Sequence, residues 1–193
     1  MLMDRDILQA KFEQALSYEA FVKLGEPEGH RPPWDQRYGQ LTLTDDQDQL
    51  VKSFSRTMHV LCMSGTWCGD CALQGAAMQR IAEANQASIR LRYLLRCEQH
   101  ADLAIKAPIN KGFRVPITWF MADDFEPIAW FGDRTLSRYR SIARKTLSGE
   151  QTAALPEPPD DPVREVLGEM MDEFERVHLL LRLSPRMRAK HDD

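Results

Sequence analysis

Apolar and polar positions along this chain recur with two different periods, and the switches between them predict its elements. Leu8, Phe12, Ala15, Leu16, Phe21 and Val22 return at helical spacing, so residues 4–24 read as one helix ended by Gly25 and Pro27. "GEPEGHRPPW" follows and reads as an extended loop. Thr44 with Gln47 three residues on is a capping box, which predicts a short helix to about Phe54 with Leu50, Val51 and Phe54 facing inward. "MHVLCMS" (58–64), mostly apolar and bounded by Gly65, suits a buried strand. Leu73, Ala76, Ala77 and Ile81 trace a helical stripe between Cys68 and about Asn85. "SIRLRYLL" (88–95) alternates through its first half and predicts a second strand. "PITWFM" and "EPIAWF" flank "ADDF" as a hairpin around Asp123 and Asp124. Residues 135–147 return to helical spacing and end at Gly149. From residue 58 the order is strand, helix, strand, short helix, strand, strand, helix.

"LPEPPDDP" (155–162) is the clearest linker, since proline at this density fits neither a helix interior nor a sheet. Beyond it, Val163, Val166, Leu167, Met170, Phe174, Val177 and Leu181 form one stripe of a long amphipathic helix. The predicted organisation is an N-terminal helical extension and loop (1–40), an α/β domain (41–149), a Pro-rich linker (150–162), and a C-terminal helix with a basic tail (163–193). The stripe is expected to pack on its own domain, giving a monomer, or a weak homodimer through that helix. Arg182, Arg186, Arg188 and Lys190 read as a solvated basic tail.

Composition narrows the function. A chain of 193 residues with 43 % hydrophobic and 28 % charged residues folds around a core of its own. A net charge of −4 gives no reason to expect nucleic acid as a partner. No apolar run reaches the roughly 18 residues of a membrane span, so no membrane partner is expected. Asp4, Arg5 and Asp6 fall where a signal peptide needs its apolar stretch, which makes a cytoplasmic location the expectation. Four cysteines do not make a disulfide scaffold in a chain of this size, and in a reducing compartment Cys-x-x-Cys points to redox chemistry or metal.

"SGTWCGDCALQGAA" (64–77) carries that pattern. Cys68 and Cys71 could be a redox pair, half of a zinc site, or two buried thiols without chemistry. Their setting is a strand end, a tight loop from Gly65 to Trp67, and a helix start at or just after Cys68. A thiol there faces unpaired backbone N–H groups and the positive end of the helix dipole, both of which favour the nucleophilic thiolate. Cys71 lies one turn on, on the same face, and suits the resolving role.

Here the sequence resembles the thioredoxin superfamily. "TWCGDC" sits at the expected strand-to-helix junction, "RVPIT" (114–118) stands where that family places its cis-proline, and "WFGDR" (130–134) looks like the end of its last strand. With "LLRCEQHADL", these residues most resemble a bacterial thioredoxin-like branch with extra N-terminal helices and Cys-Gly-Asp-Cys, over about residues 40–147. The resemblance implies a thioredoxin fold: a central mixed β-sheet flanked by helices, here with an added N-terminal helix and a C-terminal amphipathic helix. It implies an enzyme, a thiol–disulfide oxidoreductase and chiefly a protein disulfide reductase, with Cys68 as nucleophile and Cys71 as resolving thiol. No cofactor beyond the redox-active Cys68–Cys71 disulfide is implied, and no metal. Trp67, Gly69, Asp70 and Pro116 would modulate the site. Trp67, Val115 and Pro116 would bind substrate, the Val115 backbone pairing with an extended segment by strand addition. The partners would be disulfide-containing proteins and an unidentified electron donor.

Three positions depart from the family pattern. Asp70 stands where thioredoxin itself has proline, and a carboxylate there should raise the pKa of Cys68 or Cys71. Cys62 replaces a buried aspartate and reads as an inert apolar side chain, leaving any proton relay to Asp70 or water. Ala76 replaces a helix-kinking proline. Two rival readings remain. Cys97-x-x-His100 could complete a tetrahedral zinc site with the first pair, although regular helix and strand separate the two motifs. A non-enzymatic thioredoxin-fold adaptor or redox-switched binding protein would use the terminal helices for its partner. His30, His59, His178 and His191 show no ligand or catalytic spacing, and Trp34, Trp119 and Trp130 read as core or rim.

Overall fold

Strand β1 (Met58–Ser64), buried along its length except at His59, is the natural centre of a sheet, and the computed structural model, which describes residues 3–193, places it there. Residues 1 and 2 of the N-terminal extension lie outside the described residues. The sheet runs β2 (Ile89–Leu95), β1, β3 (Ile117–Met121), β4 (Pro127–Gly132). β1 is parallel to β2 and antiparallel to β3, which is antiparallel to β4. A parallel pair needs a crossover, and helix α5 (Gly69–Ala84) supplies it. The last two strands form the expected hairpin around Asp123 and Asp124. This is the mixed sheet flanked by helices that the sequence implies, with extra helices at both ends.

Alternation along β1 divides the core. Val60 and Cys62 join the cluster under α5, while Leu61 and Met63 join a second cluster on the opposite face. The expected single helix over 4–24 is two helices, α1 (Arg5–Gln14) and α2 (Tyr18–Leu24), each with its own cap, Asp4 and Ser17. Leu8 packs on one face of the sheet, Phe21 and Val22 on the other, so the chain rounds the sheet edge between them. At that turn Leu16 and Tyr93 of β2 exchange two main-chain hydrogen bonds of 2.8 Å. The helical period survives because both helices are amphipathic; the break is made by the sheet edge.

The expected extended loop after Gly25 is instead a 3-10 turn (Glu26–Glu28) and helix α3 (Arg31–Gln40). Pro32 and Pro33 fall in the first turn of α3, where an N–H has no intrahelical acceptor to lose. The predicted capping box opens α4 (Asp45–Lys52), with reciprocal Thr44–Gln47 hydrogen bonds of 3.0 and 3.2 Å. The short helix after β2 is α6 (Ala101–Lys106), and α7 (Leu136–Thr146) follows β4.

Helix α8 (Pro162–Leu183) starts one residue earlier than the linker reading placed it, because Pro162 is a first-turn proline capped by Asp161. Its stripe, including Val166, Met170, Phe174 and Val177, is buried in the same cluster as α5. The basic tail is exposed, as expected, but it is ordered rather than free. It forms α9 (Pro185–His191), where Arg186 pairs with Asp124, and Lys190 and His191 reach Asp123 at 2.8 and 3.0 Å. Carboxylates on the hairpin tip, with Asp193 of the tail itself against Arg182 at 3.1 Å, balance the charge of this basic segment.

Candidate functional site

The turn Gly65–Trp67 is closed by the Cys68 N–H donating to the Gly65 carbonyl at 3.1 Å, and it leaves Cys68 as the N-cap of α5. A cap side chain accepts from the first turn, and here the acceptor is sulfur: the Cys71 backbone N–H donates to Cys68 Sγ at 3.3 Å. Cys71 is fully buried, and its Sγ accepts from the Gly65 N–H at 3.4 Å. Both thiols are free, as are Cys62 and Cys97. Cys68 Sγ also lies 3.8 Å from the Val115 carbonyl oxygen. Trp67 is half exposed beside the pair, and Gly69 is the first residue of α5.

Val115–Pro116 and Gly132–Asp133 are both cis peptides, and they face one another across the end of the β3–β4 pair. A Cβ on Gly132 would stand 2.8 Å from the Pro116 carbonyl oxygen, so only glycine lets the strand end approach the proline loop.

The two thiols have opposite electrostatics. Hydrogen bonding from the Cys71 thiol, and then from the backbone N–H groups of Cys71 and Asp70, outweighs burial and brings the Cys68 pKa down to about 6. Burial first, then the neighbouring Cys68 sulfur, pushes Cys71 well above the ordinary thiol value. One sulfur is therefore a thiolate at neutral pH and the other a protonated thiol. Alkylation of Cys68 should accelerate through a midpoint near pH 6, and a midpoint at the ordinary thiol value of about 8.5 would contradict this arrangement. The linked stability has a definite sign. Because the folded pKa is lowered, the unfolded chain binds the extra proton between the two values. The contribution is fully present above the unfolded pKa and is lost as pH falls toward 6.

Asp70 corrects the sequence expectation. Its charge does oppose the Cys68 thiolate, but it is the smallest of the influences on that group. The carboxylate is buried and held from both sides, by Arg134 Nε at 2.7 Å and Arg138 Nε at 2.7 Å. Two guanidinium groups neutralise the field the carboxylate would otherwise project. Arg134 also reaches buried Asp133 at 2.8 Å, which accepts in addition from Arg114 and the Tyr139 hydroxyl. Burial works against the Asp133 charge, yet the Tyr139 hydroxyl, its own backbone N–H and Arg114 hold its pKa below the usual value.

The N-terminal extension reaches this site through one side chain. Trp34 of α3 is fully buried, and its indole Nε1–H donates to the Thr66 carbonyl at 2.8 Å. His30 Nδ1 and the Thr66 hydroxyl lie 3.1 Å apart. The indole packs on α5 at Gly75, where a Cβ would come within 2.5 Å of the ring. Trp34 is core, as expected, but it also braces the loop that presents Cys68. No sequence signal marked it or Arg138; Arg134 was visible only as part of "WFGDR".

The other sequence candidates separate. Ala76 lies within a continuous α5. Cys62 is fully buried and pushed up to about 12 by that burial. Cys97 is exposed, and His100 turns away to face Lys11 Nζ at 3.2 Å. Among the described residues no three metal-ligating side chains come together, so the four-ligand zinc arrangement is not assembled.

The family described as thioredoxin matches residues 16–142. No curated protein matches. A crystal structure of a protein of unknown function from Pseudomonas aeruginosa superposes with a TM-score of 0.60 at 17 % identity, over 84 % of this chain and 95 % of that one. A crystallised HIV epitope-scaffold gives 0.57 at 17 % identity, over 85 % and 97 % of the two chains. Thioredoxin f2 of Chlamydomonas reinhardtii gives 0.35 at 14 % identity, over 57 % and 98 %.

Proposed function

Since the chain belongs to the thioredoxin family, we propose that it is a thiol–disulfide oxidoreductase working chiefly as a protein disulfide reductase. The observation that carries this reading is the split between two adjacent sulfurs, one lowered to about pH 6 at a helix N-terminus and half-accessible, the other buried and protonated.

That split matches the two steps of disulfide exchange. Cys68 thiolate attacks one sulfur of a substrate disulfide, the substrate S–S bond breaks, and the other substrate sulfur leaves with the electron pair and takes a proton. Cys71 then loses its proton and attacks Cys68 Sγ. The mixed disulfide breaks, the second substrate thiol departs, and the Cys68–Cys71 disulfide remains. Two electrons have moved from the dithiol to the substrate, and an external thiol donor must return them. The Val115 backbone, beside Cys68, gives an extended substrate segment main-chain partners, and Trp67 offers it an apolar edge. Gly69 leaves the approach to Cys68 free of a side chain. No described helix is long and apolar enough to cross a membrane. We place the work in a reducing compartment, the cytoplasm, where a dithiol is kept reduced.

Substrate trapping tests the proposal. Cys71→Ser should accumulate mixed disulfides through Cys68 with protein disulfides, and Cys68→Ser should accumulate none. A non-enzymatic adaptor would form no such adducts and would not turn over a small aromatic disulfide.

A further inference from the structure

A buried hydroxyl near the second thiol stands without a hydrogen-bond partner among the described residues. Ser64, the last residue of β1, is fully buried, and its Oγ meets no acceptor or donor among the described residues. Strand alternation puts it on the same face as Cys62, the face covered by α5 and occupied by Cys71. Its neighbour Gly65 already donates its N–H to Cys71 Sγ at 3.4 Å, which brings residue 64 to the same sulfur. Burial raises the pKa of both Cys62 and Cys71, and a hydrogen bond from this hydroxyl to the ionised form of either sulfur works in the opposite direction.

An unpaired buried hydroxyl is costly, and an apolar residue of the same shape would remove the cost. We infer that Ser64 is retained for a state other than the resting dithiol: its O–H donates to Cys71 Sγ when that sulfur becomes a thiolate. This rests on the oxidoreductase reading and extends it to the second step. In the resting protein Cys71 is a thiol and asks little of a donor. During resolution its proton ends on the departing substrate sulfur, and the negative charge appears in a fully buried place. Two fixed donors then face it, the Gly65 N–H and the Ser64 O–H, and stabilise it as an oxyanion hole stabilises developing oxygen charge. The position where the family keeps a buried aspartate holds Cys62, whose high pKa leaves it neutral and unable to take a proton from Cys71. With the thiolate stabilised by these donors, the substrate sulfur itself suffices as proton acceptor and no buried carboxylate base is needed.

The test separates the two steps with Ser64→Ala, using a chromogenic aromatic disulfide that forms a mixed disulfide with Cys68. The first burst and the Cys68 alkylation profile should match the native protein. Release of the second thiol should slow by about ten- to a hundredfold, as expected for loss of a hydrogen bond to a charged group. The thermal midpoint should stay level or rise, since an unpaired hydroxyl has been removed. Unchanged release would overturn the inference while leaving the oxidoreductase reading in place. Slowing of both steps with a lowered midpoint would also overturn it, by making Ser64 a packing residue. If the native protein shows no burst at all, the oxidoreductase reading falls and takes the inference with it.

Discussion

Trp34→Ala is expected to destabilise the protein by about 3–5 kcal/mol, the usual cost of emptying a fully buried tryptophan site. The loss should also be felt at Cys68. The indole fills the space over Gly75 and holds the Thr66 carbonyl, two residues before the nucleophile. Without it that carbonyl loses its donor and the Gly65–Trp67 turn loses its floor. Trp34→Phe separates the two effects. It keeps much of the ring volume but not the N–H, so its stability cost should be nearer the 1–3 kcal/mol of an unsatisfied buried acceptor. The Cys68 alkylation midpoint should move in both variants. Chemical denaturation and alkylation rates measured together decide the matter. A loss below about 1 kcal/mol for Trp34→Ala, with the Cys68 profile unchanged, would show that the N-terminal extension is a mere appendage.

Arg134→Gln with Arg138→Gln should be comparably damaging, because it strips both partners from buried Asp70. Leaving a buried charge uncompensated typically costs about 3–5 kcal/mol. It should also raise the Cys68 pKa from about 6, since the carboxylate field is no longer cancelled. Asp70→Asn should act in the opposite direction on the thiol, removing a charge that opposes it while two guanidinium groups stay nearby. Asp133 keeps Arg114 and Tyr139 in either variant, although the double arginine variant also removes its 2.8 Å contact with Arg134. Thiolate absorbance against pH reads both shifts. If the double arginine variant and Asp70→Asn move the midpoint the same way, the charge account of this site is wrong.

Some elements were legible in the sequence and others were not, for a physical reason. Strand β1, helix α5 and the β3–β4 hairpin were legible because burial on both faces, a helical stripe and turn residues are local signals. The cysteine pair was legible because its activation comes from a local device, the first turn of a helix. The break at Leu16 was not, since it is made by a hydrogen-bonded partner 77 positions on, at Tyr93. Helix α3 hid behind Pro32 and Pro33, which read as loop residues unless they fall in a first turn. Asp70 carried the right sign and the wrong weight: its effect is set by arginines 64 and 68 positions away. Ser64 gave no signal at all, because an unpaired hydroxyl exists only in three dimensions.

The bridge between Leu16 and Tyr93 carries a consequence for anyone who would shorten the protein. β2 is an outer strand of the sheet, and the N-terminal segment occupies part of its free rim. A version trimmed to begin at residue 17 would keep both thiols, the proline loop and all four strands. It would also bare the Tyr93 N–H and C=O on an outward rim ready to pair with another chain. Cutting back to the four-stranded fold alone would therefore leave the sheet with a self-adhesive rim.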